Sequence, residues 1–175
     1  MNENNNRPTD LKNIKQMIKS GDFESAFECL RSIARPEHDF SLQHRYATLY
    51  EIIPKGNLGL KPVRVAFTAT ATLEHFIGIF RFWCALDGFD AQVFLAEFNT
   101  VHQSILSPES ELYAFKPDIV WLFTGNRDVN INVTPGETGE NIAHEIASAV
   151  DTFTAMRAAV RQHSSAFVIQ NNADL

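Results

Sequence analysis

Cysteine is scarce in this sequence, and its scarcity excludes several classes of protein. The 175 residues contain two cysteines, Cys29 and Cys84, which lie far apart inside apolar helical patterns. A disulfide framework or a cysteine-rich zinc site needs more cysteines at closer spacing. We therefore interpret both as small core residues of a protein from a reducing compartment, and we predict a cytoplasmic location.

Basic residues, long apolar runs and clustered metal ligands are also lacking. The sequence contains 15 lysines and arginines and 21 acidic residues, which gives a net charge of −6. A nucleic-acid-binding face has to be basic. No apolar run is long enough to cross a bilayer, and the polar N-terminus is not a signal peptide. The six histidines show no metal-ligand spacing. We predict no nucleic acid, no membrane, no metal site and no cofactor for this chain.

One stretch organises what is present, namely Pro62 to Phe76, with the sequence PVRVAFTATATLEHF. Its apolar start, Val63 to Phe67, is typical of a strand buried on both faces. The hydroxyl-rich turn Thr68–Thr72 follows, and the spacing predicts a helix that opens at Leu73 with Thr72 as its N-cap. In an open α/β sheet a ligand often binds at such a turn, although any first strand–turn–helix unit has this pattern.

The residues before this stretch predict a small helical lead-in. Residues 1–9 are rich in asparagine and predict a disordered leader, and Asp10 is placed to cap the first of three helices over 10–53. Ser20-Gly21-Asp22 separates the first two helices. This pair resembles a single tetratricopeptide-type unit, but a helical hairpin packed on the main domain is the simpler interpretation. We divide the chain into a leader with helical lead-in, 1–59, and an α/β domain, 60–175.

Within the α/β domain, the sequence predicts strands near 63–68, 91–95, 119–123 and 166–170. Helical segments separate them and include a long helix from about 140 to 162. Such alternation predicts a doubly wound parallel sheet. In the flavodoxin-like order 2-1-3-4, the first and third strands are neighbours. Their exit turns, Thr68–Thr72 and Thr124–Asp128, would then face each other at the topological switch point.

Several motifs of this domain resemble the N-terminal region of FkbH-like proteins. They are Asp87-Gly88-Phe89, Glu97-Phe98-Asn99, the run ILSPESELYAFKPD from Ile105 to Asp118, and Phe167 to Asn172. The resemblance covers most of residues 61–172 and implies an SGNH-hydrolase-like fold followed by a haloacid-dehalogenase-like domain. It also implies a parent protein that transfers a glyceryl unit from an activated phosphoglycerate to an acyl carrier protein in polyketide biosynthesis. The Asp-x-Asp-x-Thr motif of the second domain is absent here, so we expect this chain to be the leading domain.

The resemblance also allows a test for catalytic residues. An SGNH esterase needs a serine after the first strand, a glycine after the second, a Gly-x-Asn-Asp block after the third, and a late Asp-x-x-His. The first position falls in Thr68–Thr72, which has no serine, and Thr70 is a weak nucleophile because its methyl group crowds the attack. Asn99 replaces the glycine, Asn126 remains a candidate oxyanion donor, and no histidine follows Asp174.

Two functions therefore remain open. The first is a non-catalytic or degenerate SGNH-like accessory or docking domain of an FkbH-like protein. Its partners would be an acyl carrier protein or carrier-borne ligand and the C-terminal domain of the same protein. The second is a stand-alone esterase or acyltransferase with a degenerate triad. Arg127 would supply a cation for a phosphate or carboxylate, and the full set of candidate binding residues is Thr68, Thr70, Thr72, Asn99, Gly125, Asn126 and Arg127.

Overall fold

The computed structural model describes residues 7–98, 100–125, 128–129 and 131–171. Helices and strands alternate after the first three helices, as the sequence predicts. The elements in chain order are α1 Arg7–Ser20, α2 Phe23–Ile33, α3 Phe40–Ile52, β1 Lys61–Ala69, α4 Glu74–Leu86, β2 Phe89–Leu95, α5 Val101–Leu106, α6 Glu111–Ala114, β3 Ile119–Phe123, α7 Gly139–His163 and β4 Phe167–Gln170. In the part of the chain so described, no helix is both long and apolar enough to cross a membrane.

The four strands form one parallel sheet in the order β2-β1-β3-β4. This confirms the predicted α/β class, the parallel direction and the strand order. The central strand β1 is buried from Val65 to Ala69, which explains why its sequence is almost continuously apolar. In the register of the sheet, Thr68 pairs with Leu122 and Leu122 pairs with Gln170.

Asp118 fixes the start of three neighbouring strands. Its carboxylate accepts a hydrogen bond of 2.8 Å from the backbone N–H of Arg64 in β1. Its own N–H donates to the carbonyl of Arg64, and its carbonyl accepts from the N–H of Phe167 in β4. A one-residue slip would turn each strand's apolar side chains to the opposite face, so the Lys116-Pro117-Asp118 turn sets the register on which the site depends.

The chain divides into two compact units. The first comprises Met1–Pro62 and Glu74–Ala91, and the second comprises Val63–Leu73 and Gln92–Leu175. Helix α4 is thus grouped with the helical lead-in, although it follows β1 in sequence. The predicted boundary between residues 59 and 60 separates parts expected to fold independently, and it stays a prediction.

The first unit has an aromatic core. Tyr46, Tyr50 and Phe82 are almost fully buried, and the Phe82 ring lies about 6 Å from both tyrosine rings (6.0 and 5.9 Å between centroids). Helices α2 and α3 are capped by Asp22 and Asp39, whose carboxylates accept from backbone N–H groups of the first turn at 3.3 and 2.9 Å. The predicted helices over 10–53 are confirmed.

The predicted start of the first helix is wrong. Helix α1 begins at Arg7, so residues 7–9 are helical and Asp10 lies in the first turn instead of capping it. Pro8 does not prevent this, because a proline in the first turn lacks an N–H group that would have no helical partner. The rest of the predicted leader, residues 1–6, lies outside the described residues.

The second unit packs α5, α6 and α7 against one face of the sheet. Its core includes Ala66 from β1, Val120 and Leu122 from β3, and Ile105 and Leu112 from the two short helices. The long helix α7 is confirmed, and Thr138 caps it by accepting from the N–H of Asn141 at 3.3 Å. This packing places the carboxyl ends of β3 and β4 beside the middle of α7.

Candidate binding site at the carboxyl ends of the strands

The ends of β1 and β3 bring the two predicted turns together. The Thr70 hydroxyl donates a hydrogen bond of 2.8 Å to Oδ2 of Asp128, although the residues are 58 positions apart. The predicted proximity of Thr68–Thr72 and Thr124–Asp128 is therefore confirmed. Sequence analysis did not identify Asp128 as the partner of Thr70. The predicted strand order, which places the loop of Asp128 beside β1, was the signal that could have pointed to this pair.

Asp128 holds its own loop as well as Thr70. The same Oδ2 accepts a hydrogen bond of 2.7 Å from the backbone N–H of Gly125, and the N–H of Asp128 donates to the Gly125 carbonyl at 3.1 Å. We call these contacts of Thr70, Gly125 and Asp128 the carboxylate bridge. The Gly125 N–H donates within this bridge, whereas an oxyanion-binding site needs N–H groups that are free to bond the oxyanion.

Thr68 lies beneath this edge instead of at its surface. The residue is 0% exposed, and within the described residues its Oγ1 has no hydrogen-bond partner. A buried hydroxyl without a partner costs about 1–3 kcal/mol. The Thr68 hydroxyl is therefore covered in this structure and is a local destabilising feature, and its role in binding stays a prediction.

Thr72 is exposed and is not the N-cap of the following helix. Helix α4 begins at Glu74, which places Leu73 at the capping position and Thr72 one residue earlier. Leu73 is only 4% exposed. The predicted cap at Thr72 and the predicted start at Leu73 are both wrong by one residue.

Three of the predicted binding residues cannot be placed. Asn99, Asn126 and Arg127 lie outside the described residues, so their roles stay predictions. Gly125 belongs to the carboxylate bridge and is exposed, and Thr124 beside it is 6% exposed. The structure thus brings together Thr70, Gly125 and the neighbouring Asp128.

A cavity of about 250 Å³ lies next to this edge, between the ends of β3 and β4 and helix α7. We call it the α7 cavity. Its walls are mostly apolar, formed by Val129, Ile131, Ile146, Ala149, Val150 and Phe153. Sequence reasoning missed this cavity. A signal in the sequence was the pair of large apolar residues Ile146 and Val150, which lie one turn apart on α7. In the structure these side chains remain 47% and 55% exposed.

The polar end of the α7 cavity is formed by Thr124, Gly125, Gln170 and Asn171. Oε1 of Gln170 accepts from Nη1 of Arg157 at 2.7 Å, and Oδ1 of Asn171 accepts from Nε1 of Trp121 at 2.6 Å. Guanidinium and indole N–H groups can only donate. The oxygen of each amide is therefore already bonded, and the orientation of both amides is fixed.

Potential metal ligands of the described residues do not gather at this edge. In the described ranges, no group of three or more histidine, cysteine, aspartate or glutamate side chains is placed to hold a metal ion. The acidic group nearest to the site, Asp128, is engaged by two donors.

Comparison with known proteins supports the fold. No protein-family profile matches the sequence, and no curated protein matches it. The structure is similar to the crystal structure of the N-terminal part of BF1531 from Bacteroides fragilis, described as containing a phosphatase domain complexed with Mg. The TM-score is 0.59 at 18% identity, over 79% of this chain and 34% of that chain. This chain therefore spans about a third of the length of that neighbour, and a likeness at this identity establishes the α/β fold alone.

Proposed function

We propose that this chain is a non-catalytic, SGNH-like accessory domain of a cytoplasmic FkbH-like protein. In this proposal the domain holds a carrier-borne group, while the parent protein transfers a glyceryl unit from an activated phosphoglycerate to an acyl carrier protein. The observation that carries the proposal is the carboxylate bridge. The hydroxyl nearest to the position of an SGNH nucleophile is bonded to a carboxylate that also fixes the adjacent loop.

The bridge argues against hydrolysis because it uses the groups that hydrolysis would need. A hydroxyl nucleophile needs a base that removes its proton, and the oxyanion needs free N–H donors. Here Oδ2 of Asp128 is shared by the Thr70 hydroxyl and the Gly125 N–H. Both donors thus bond the same oxygen. The methyl group of Thr70 also hinders attack of its hydroxyl on a substrate.

The structural neighbour supports the proposal that a second domain carries the chemistry. The similar part of BF1531 belongs to a chain about three times as long, which is described as containing a phosphatase domain. We infer that the present domain works beside a phosphatase-type domain of the same protein and with an acyl carrier protein as partner. Fold similarity alone does not assign a function, so the motif resemblance in Ile105–Asp118 is the second support.

A stand-alone esterase or acyltransferase is the second candidate, and the same hydrogen bond favours it. A hydroxyl 2.8 Å from a carboxylate oxygen has the separation of a nucleophile and its general base. The two functions differ in whether Asp128 removes the proton of Thr70 or only accepts its hydrogen bond.

Hydrolysis of p-nitrophenyl acetate separates the two candidates. We expect the chain to hydrolyse this ester no faster than buffer, and we expect Thr70→Val and Asp128→Asn to behave like the wild type. Turnover above background that both substitutions abolish would contradict the non-catalytic proposal and establish the esterase.

Binding of a glyceryl pantetheine thioester tests the docking part of the proposal. We expect amide NMR shifts at Thr70, Gly125 and Asp128 on titration, and weaker binding in Asn126→Ala and Arg127→Ala with little change in melting temperature. Thr152→Val is a control outside the carboxylate bridge and should bind as the wild type does, because Thr152 is exposed on α7 and its hydroxyl donates to the Ser148 carbonyl. No shifts, or shifts confined to α1–α3, would contradict it.

A further inference from the structure

We propose that the α7 cavity binds a small ligand with an apolar body and a hydrogen-bond-accepting head, either a short-chain carboxylate or the carbonyl group of a short acyl thioester. The inference goes beyond the proposed function, because it rests on the cavity walls and two side-chain amides and not on the carboxylate bridge. The volume of about 250 Å³ lies just below the range of about 300–1,000 Å³ that is typical of ligand sites, so the ligand is small.

The head group follows from the hydrogen bonds of the two amides. Arg157 occupies the oxygen of Gln170, and Trp121 occupies the oxygen of Asn171. The hydrogen-bonding groups that remain strongest on these side chains are their NH₂ donors, Nε2 and Nδ2. A ligand atom that accepts hydrogen bonds, as a carbonyl or carboxylate oxygen does, therefore suits this end of the cavity best.

The charge of the lining agrees with this choice. Among the described residues that form the α7 cavity there is no aspartate or glutamate, so none of these lining side chains would pair with an ammonium head. The half-buried Arg157 bonds Gln170 at 2.7 Å. Its fixed positive charge lies one side chain away from the polar end and favours an anionic or strongly dipolar acceptor.

The apolar walls of the α7 cavity indicate that the ligand has an apolar body. Ile146 and Val150 are large apolar side chains that remain about half exposed on α7, and Ala149 and Phe153 form the buried base of the same wall. A short alkyl chain would cover the exposed surface, with a gain of about 25 cal/mol per Å² removed from water. A glyceryl body would instead place its hydroxyl groups against these walls and lose hydrogen bonds to water.

The test is an amide NMR titration of the 175-residue chain with three probes: butyrate, butyryl-pantetheine and glycerate. We expect saturable shifts at Thr124, Ala149, Gln170 and Asn171 with butyrate or butyryl-pantetheine, and none with glycerate. Binding of butyrate alone assigns a free acid, and binding of the thioester alone assigns a carrier-borne acyl group. No binding of either probe, or equal binding of glycerate, would overturn the inference.

Two substitutions sharpen the test. Gln170→Glu keeps an oxygen for Arg157 but replaces the Nε2 donor by a second acceptor, so we expect butyrate to bind at least about tenfold more weakly. Ala149→Leu fills the cavity and should abolish binding of both probes. Ala147→Leu makes the same change at an exposed position of α7 and should bind as the wild type does.

The outcomes remain separable from those of the proposed function. If Ala149→Leu fails to fold, Gln170→Glu decides, because it retains the contact to Arg157. Wild-type affinity in Gln170→Glu would overturn the inference even if the glyceryl thioester binds at the carboxylate bridge. Butyrate binding that is lost in Gln170→Glu but retained in Arg127→Ala would support it even if the glyceryl thioester does not bind.

Discussion

The two compact units use their polar groups in different ways. In the first unit, polar side chains close the ends of helices. The ammonium group of Lys55, for example, donates to the carbonyls of Tyr50 and Ile53 and lies 3.7 Å from the centre of the Tyr50 ring. In the second unit, the amides of Gln170 and Asn171 line a cavity, and among the described residues only their oxygens have hydrogen-bond partners. This difference is the basis for the proposal that the second unit binds a ligand.

The largest effect should come from the aromatic core of the first unit. Phe82 is 0% exposed, so we expect Phe82→Ala to lower the free energy of unfolding by about 3–5 kcal/mol. Phe89 belongs to the same unit but is 43% exposed, and Phe89→Ala should cost less than about 1 kcal/mol. Urea unfolding monitored by circular dichroism measures both. Equal losses would show that the assigned core is not the stabilising one.

Alkaline pH should also destabilise the first unit. Burial, with the nearby Asp90 carboxylate, raises the pKa of Tyr50 from 10.0 to about 12, and burial, with Asp87, raises the pKa of Cys84 from 9.0 to about 11. Each group keeps its proton longer when folded, so its contribution is complete below its unfolded pKa and is lost as pH rises through its folded pKa. We expect stability to fall between about pH 9 and pH 12.

The Tyr50→Phe variant isolates one part of this pH dependence. The substitution keeps the ring beneath Lys55 and removes the titrating hydroxyl, so the loss between about pH 10 and pH 12 should become smaller. Lys55 acts in the opposite direction, because burial lowers its pKa from 10.5, but it is present in both proteins. An unchanged slope in Tyr50→Phe would contradict the assignment to Tyr50.

Two threonines of the second unit should respond differently to the same substitution. Thr70→Val removes a donor from Asp128 and should lower the free energy of unfolding by about 1–2 kcal/mol. Thr68→Val removes a buried hydroxyl that has no partner in the described part of the chain, and it should leave stability unchanged or raise it by about 1 kcal/mol. Chemical denaturation of the pair measures the difference, and a loss in Thr68→Val would mean that this hydroxyl is bonded.

The last prediction concerns cysteine reactivity and not stability. The thiolate is the reactive form, and a pKa raised from 9.0 to about 11 reduces the thiolate fraction of Cys84 about a hundredfold at neutral pH. In Cys29→Ala, where Cys84 is the remaining thiol, we expect alkylation by iodoacetamide about a hundredfold slower than for an unfolded peptide. Labelling at the peptide rate would show that Cys84 is not protected.

The sequence predicted the fold better than it predicted the site. Strand order and the long helix followed from apolar runs and turn residues, because these patterns report burial directly. The partnership of Thr70 with Asp128 and the fixed amides of Gln170 and Asn171 depend on contacts between residues 13 to 58 positions apart, which local patterns do not contain. The start of α4 was misplaced because Thr72 is a good capping residue by type, whereas the helix begins at Glu74.

One measurement tests most directly the claim that the second unit binds without catalysing. Butyryl-pantetheine is incubated with the chain for several hours, and amide shifts and thioester content are recorded in the same sample. We predict saturable shifts at Gln170 and Asn171 with the thioester intact. Thioester hydrolysis above background that is absent in Thr70→Val, or shifts confined to α1–α3, would contradict the account.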